Sequence, residues 1–109
     1  TKANGECPLE EFLNHPDQKN DLPFILNKID QLAEFGNMLG KPHTRKLVDS
    51  IFELRLKTNR GIYRFPFFYE QNKVIILTHG FLKKAEKTPA AEITRAQKYK
   101  NDHFERKKK

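Results

Sequence analysis

Cysteine is almost missing from this chain: Cys7 is the only one among 109 residues. No internal disulfide can form, and no zinc site built on paired cysteines can assemble. A reducing, cytoplasmic setting is therefore expected. Tryptophan is absent and methionine occurs once, so nine phenylalanines and three tyrosines must give a small core its bulk. No apolar run reaches the roughly 20 residues of a membrane span, and no signal peptide is recognisable, so no membrane partner is expected. The phosphate-cradling GxxxxGK(S/T) and GxGxxG loops, the GxSxG nucleophile turn, the HExxH helix and the aromatic motif of RRM domains are all missing. The four histidines, His15, His43, His79 and His103, are too scattered for a metal set. Neither metal nor cofactor is implied.

What is abundant is positive charge. Lys and Arg number 21 against 14 Asp and Glu, a formal charge of +7. Such an excess suits a polyanionic partner, because Lys and Arg release the counterions of a phosphate backbone. Four of the positive charges lie in Arg106, Lys107, Lys108 and Lys109, which also fits a merely solvated tail. The length closes one hydrophobic core but not two, so one domain is expected over 1–109.

The local pattern predicts helix, helix, strand, strand, strand, helix. Pro8 suits a first helical position, and a short helix should run from Pro8 to Asn14, stopped by His15-Pro16. A second helix is expected from about Asp21 to Phe35, with Asp21 as cap and Gly36 past its end. Its Leu22, Ile25, Leu26, Ile29, Leu32 and Ala33 form one stripe at three- and four-residue spacing. Thr1 to Gly5 and Gly40-Lys41-Pro42 read as loops. Phe52, Leu54 and Leu56 alternate with Glu53, Arg55 and Lys57, as in a strand with one buried face. Thr58 to Gly61 is a hairpin turn. Ile62 to Tyr69 is a second strand in which Pro66 demands a bulge or an edge. Glu70-Gln71-Asn72 turns the chain, and Lys73 to His79 is a third strand whose Val74 to Leu77 run looks buried on both faces. Gly80 to Lys87 reads as a basic loop. Thr88 then caps the last helix, with Pro89 at its first position, and Ile93, Ala96 and Tyr99 lead towards Phe104. The class is α+β, an antiparallel meander with helices covering one face.

Alternation places Glu53, Arg55 and Lys57 away from the core face. Hairpin pairing can bring Arg55 next to Arg64, with the Lys83-Lys84 loop at the sheet end. Arginine forks match phosphate oxygens, and such a cluster can neutralise a pentacovalent phosphate. The same residues also fit ordinary solvated strand charges paired with Glu53. His79, whose intrinsic pKa lies near neutrality, is either an acid–base group or a structural strand-end residue. Tyr63, Phe65, Phe67, Phe68 and Tyr69 can offer a base-stacking face or, more simply, a core. His103 in the last helix should face solvent.

Three segments carry a family resemblance. Lys46-Leu47, Phe52-Glu53-Leu54-Arg55 and Gly61-Ile62-Tyr63-Arg64 form one. His79 to Lys84 with Lys87-Thr88-Pro89-Ala90-Ala91-Glu92-Ile93 form the second. Asn4-Gly5 with Pro8-Leu9-Glu10-Glu11-Phe12-Leu13 form the third. In order and spacing they resemble the RelE/HigB toxin superfamily, in its phage-derived Gp49-like branch. The resemblance implies a small RelE-like fold whose first strand, which in the family precedes the Asn-Gly segment, is absent upstream of Thr1. It implies the toxin of a type II toxin–antitoxin system: a metal-independent endoribonuclease that cleaves mRNA on the ribosome and so inhibits translation and growth. Its partners would be mRNA, the ribosome and a HigA-like helix-turn-helix antitoxin, through which alone it would meet operator DNA. The family's central arginine falls on Arg64, its preceding basic position on Arg55 and its basic pair on Lys83 and Lys84. His79 or Glu53 would handle protons, and Lys57, Arg60 and Lys87 would add to RNA binding. Two other readings use the same residues: a non-catalytic RNA-binding module, or a degenerate toxin kept as an antitoxin's partner.

Overall fold

Proline and glycine set most of the element boundaries. The computed structural model describes residues 7–36, 43–70, 74–84 and 87–107. Helix α1 spans Pro8–Asn14, the bounds expected. Glu10 and Glu11 in its first turn favour the positive end of the helix dipole. His15 is extended because Pro16 bars the helical region to the residue before it. A 3-10 turn, Pro16–Gln18, leads to α2, Leu22–Phe35. Gly36, at φ +57°, ends α2 by donating its N–H to the Leu32 carbonyl, at a positive φ that glycine adopts without penalty.

The Asp21 side chain does not cap α2. Its carboxylate instead accepts the Tyr63 hydroxyl at 2.6 Å. The apolar stripe of α2 is also narrower than expected. Ile25 and Leu32 are buried and Leu22 and Ile29 half-buried, whereas Leu26 is 45% exposed and Ala33 is exposed. The buried four repeat at three and four residues, and Leu26 and Ala33 lie one step round the helix.

Among the described residues five strands follow rather than three: β1 Thr44–Val48, β2 Ile51–Thr58, β3 Gly61–Glu70, β4 Val74–Leu77 and β5 Phe81–Lys83. β1, β2, β3 and β4 are neighbours in that order, all antiparallel, and β5 pairs with β3 beyond the end of β4. The third expected strand thus stops at Leu77, short of His79, and the expected basic loop opens with β5. The loops expected at 1–5 and 40–42, and residues Gln71, Asn72 and Lys73, lie outside the described residues.

Pro66 sits mid-strand in β3, opposite Glu53 of β2. Its nitrogen faces the gap where the chain steps from β4 to β5. There its carbonyl accepts the Thr78 N–H at 2.9 Å and the Thr78 hydroxyl at 3.2 Å. The missing donor therefore costs no ladder bond, and β3 needs neither an edge nor a bulge.

Helix α3, Ala90–Lys107, closes the chain. The helices do not cover a single face. Leu54, Tyr63, Phe65 and Phe67 form a buried cluster with Ile25 and Leu32 of α2, with Phe12 of α1 packed against it. α3 packs on the opposite face, where Phe68 meets His103 and Phe104. Ile75, Ile76 and Leu77 of β4 are half-buried, not sealed on both sides.

Candidate functional site

Pleating sorts the charged side chains onto the face under α3. The Thr58–Gly61 turn pairs Arg55 with Arg64 directly across β2 and β3, and Phe81 of β5 lies next in that row. One row along, Arg45, Glu53 and Pro66 align. On the other side, at the hairpin end, Lys57, Ile62 and Lys83 align. Arg45, Glu53, Arg55, Lys57, Arg64 and Lys83 therefore share one face.

At its centre, two guanidiniums flank one carboxylate. Glu53 Oε1 lies 3.4 Å from Arg55 Nε and 3.6 Å from Arg64 Nη1. The Thr88 hydroxyl donates to Glu53 Oε2 and accepts from Arg64 Nη1 at 2.9 Å. Thr88 therefore does not serve as a helix cap. The carbonyl that opens α3 is that of Pro89, which accepts the Glu92 and Ile93 N–H groups. Glu53 and Arg64 are wholly buried, while the Arg55 side chain retains 15% exposure. Arg55 stands at the rim of the cluster and Arg64 beneath it.

His79 is 1% exposed and belongs to the packing of α3. Its Nε2 lies 3.1 Å from Glu92 Oε1, its Nδ1 2.8 Å from the Thr78 hydroxyl, and its ring stacks on Phe81 with Tyr99 at its edge. Burial, with the nearby Arg95 charge, pushes its pKa down from 6.5 to about 4, against the opposing pull of Glu92. The ring is therefore neutral at neutral pH. His103 is likewise packed, against Phe68 and Phe104, and not solvent-facing.

Lys83, Lys84 and Lys87 are exposed beyond the cluster, as is Lys57. Arg60 stands apart from these residues. It bonds the Asp17 carbonyl and the Tyr63 hydroxyl on the α1–α2 side. There Tyr63 has its pKa pushed up to about 12 by burial and by the Asp21 carboxylate it donates to. Tyr63, Phe65, Phe67 and Phe68 are buried, so they form core and offer no stacking platform.

Two members of this face escaped the sequence reading. Arg45 lies on β1, a strand whose alternation is too short to register. Thr88 was visible, but its place before Pro89 pointed to a cap. Among the described residues no group of three His, Cys, Asp or Glu side chains stands together to hold a metal ion. No helix among them is long and apolar enough to cross a membrane.

Residues 10–101 match the family model described as phage derived protein Gp49-like (DUF891). No curated protein matches the chain.

Proposed function

The chain belongs to the phage-derived Gp49-like family, a toxin family of toxin–antitoxin systems within the RelE/HigB superfamily, and from that premise we propose that it is an endoribonuclease cleaving mRNA on the ribosome. Its natural counterpart is an antitoxin, in this reading a helix-turn-helix protein. The observation that carries the reading is the shared face: Arg55, paired across the hairpin with Arg64, stands between Lys57 and Lys83 on one side and Arg45 on the other.

The chemistry asked of this face is modest. The RNA 2′-hydroxyl attacks the adjacent phosphorus, the 5′-oxygen leaves, and a cyclic phosphate forms. The 2′ proton passes to water, and water protonates the leaving oxygen. The protein supplies position and positive charge for the extra negative charge of the pentacovalent state. Arg55, Lys83 and Lys84 are the groups open to a phosphate. Arg64 acts from below: held by Glu53 and Thr88, it adds its field, while the Glu53 carboxylate between them holds Arg55 opposite it. Glu53 and His79 are enclosed, and their roles here are to hold the arginines and α3 respectively.

Induced in a bacterial host, the chain is expected to arrest growth and to produce new 5′-ends inside translated codons of a reporter mRNA. Arg55→Gln should reduce those ends at least about tenfold, the effect of losing one charged donor to a transition state, while the chain stays folded because Glu53 keeps Arg64 and Thr88 as partners. Coexpressed antitoxin should restore growth. Intact mRNA during full expression of a folded chain would overturn the reading. The complete burial of Arg64 favours the second reading, an RNA-binding module without cleavage, and intact but protected RNA is its signature.

A further inference from the structure

Beside the buried cluster, between edge strand β1 and the start of α3, lies an open groove of about 390 Å³. Its lining is Arg45, Lys46, Leu47, Lys87, Thr88 and Ile93. Among the described residues, three cations and a hydroxyl line it, two aliphatic side chains complete it, and no carboxylate does. Arg45, Lys46 and Lys87 are all exposed. Lys46 lies 3.6 Å from Asp49, a fully solvated pair that holds it only weakly. The volume is that of an ordinary ligand site. Thr88, in the wall, is the same residue whose hydroxyl joins Glu53 to Arg64. Arg45 lies across from Glu53, in the row next to Arg55. A chain lying in the groove is thus led towards the arginine at the rim of the cluster.

We infer that this groove holds the phosphodiester backbone of single-stranded RNA, with Arg45 and Lys87 gripping phosphates on either side. Leu47 and Ile93 give the ribose or a base an apolar surface. Lys46 extends the cationic rim. The inference rests on the RNA-cleaving reading and adds to it the path by which the strand approaches Arg55. The mixed cationic and aliphatic lining suits a nucleotide chain, whose phosphates are charged and whose sugars and bases offer apolar surface.

The test uses the full chain and a fluorescent 2′-O-methyl RNA oligonucleotide, which lacks the attacking hydroxyl and so reports binding alone. Anisotropy titrations between low and moderate salt compare the wild type with Arg45→Ala/Lys87→Ala and with a control, Lys19→Ala. Lys19 is an exposed cation following the 3-10 turn. The double variant should bind roughly tenfold more weakly. The slope of log affinity against log salt should fall by about 1.4, two single-strand phosphate contacts at about 0.7 each. Lys19→Ala should leave the slope where it was, and all three proteins should melt alike. A double variant with wild-type affinity and slope would overturn the inference, as would a wild type that fails to bind the oligonucleotide. Cleavage of a reporter mRNA during translation is read in parallel. RNA bound through the groove while translated mRNA is left uncut would sink the cleavage reading and leave the groove standing. RNA cut equally well by wild type and double variant would do the reverse.

Discussion

On the face of the sheet that meets α1 and α2, Leu54, Phe65 and Phe67 are packed among Ile25, Leu32 and Phe12. On the face beneath α3, the same two strands bury Glu53 and Arg64, and the segment beyond β4 buries Thr78 and His79. Both faces bury side chains, but they draw stability from different sources. Apolar burial contributes about 25 cal/mol per Å² and needs no partner. A buried ion pair gains little net, because desolvation of both charges offsets their attraction. A fold that only needed to be stable would do better with a second apolar face. In the proposed reading the charged face is the part of the molecule shaped by function, and the apolar face is its support.

The largest expected effect breaks this comparison open. Phe65→Ala should cost about 3–5 kcal/mol, as deleting a buried aromatic does. That is a large share of the total stability of a domain this size, about 5–15 kcal/mol. Glu53→Leu alone should cost a similar amount, about 3–5 kcal/mol, by leaving Arg64 buried beside no carboxylate. The double change Glu53→Leu/Arg64→Met should recover most of that loss while RNA cleavage stays abolished. Urea denaturation at neutral pH and an mRNA cleavage assay read the two quantities. If the double variant remains as unstable as Phe65→Ala, the charged face is holding the fold, and its functional reading loses its main support.

The apolar face was the more legible of the two. Alternation in β2 gave its inward residues there, and the Thr58–Gly61 turn set the register that faces Arg55 with Arg64. Pro16 and Gly36 marked helix ends in the sequence as they do in space. What sequence could not show is where α3 lies, because its stripe of Ile93, Ala96 and Tyr99 fits either side of a sheet. The burial of Arg64 and His79 follows from that placement, so it was hidden too. β1 was missed because Thr44–Val48 contains only two apolar residues and exposes Arg45 and Lys46. β5 was missed because it is three residues long and follows Gly80. A Cβ at Gly80 would stand 2.6 Å from Phe65 and 2.7 Å from Phe12, a tertiary constraint with no local signature.

A second effect, of intermediate size, sharpens the contrast by pH. His79 is held neutral in the folded chain, with its pKa near 4 where the unfolded chain has about 6.5. Below pH 6.5 the unfolded state binds a proton that the folded state refuses, so stability is full above pH 6.5. It declines as pH falls towards 4, and the loss is complete below that value. At about 1.4 kcal/mol per unit, roughly 3 kcal/mol is at stake across this window. Urea midpoints of the wild type should fall between pH 7 and pH 4.5 more steeply than those of His79→Gln. Equal slopes would mean that the α3 face admits a charged imidazole and is more open than its packing implies.

The smallest effect lies on the supporting side. The Tyr63 hydroxyl donates to Asp21 at 2.6 Å, with Gln18 Oε1 at 3.1 Å, and accepts from Arg60 at 2.9 Å. Tyr63→Phe keeps the buried ring and removes one hydroxyl, so it should cost about 1 kcal/mol, the net worth of a typical hydrogen bond. Asp21 keeps Arg60 at 3.5 Å, which limits the loss. Because this cluster opens on the α1–α2 side, away from Arg55, the variant should bind and cut RNA as the wild type does. A stability loss of about 1 kcal/mol with unchanged cleavage would confirm that the two faces act independently. A fall in cleavage beyond the fraction unfolded would mean that the Tyr63–Arg60 contact reaches through β3 to the neighbouring Arg64, and that the division between support and function is drawn in the wrong place.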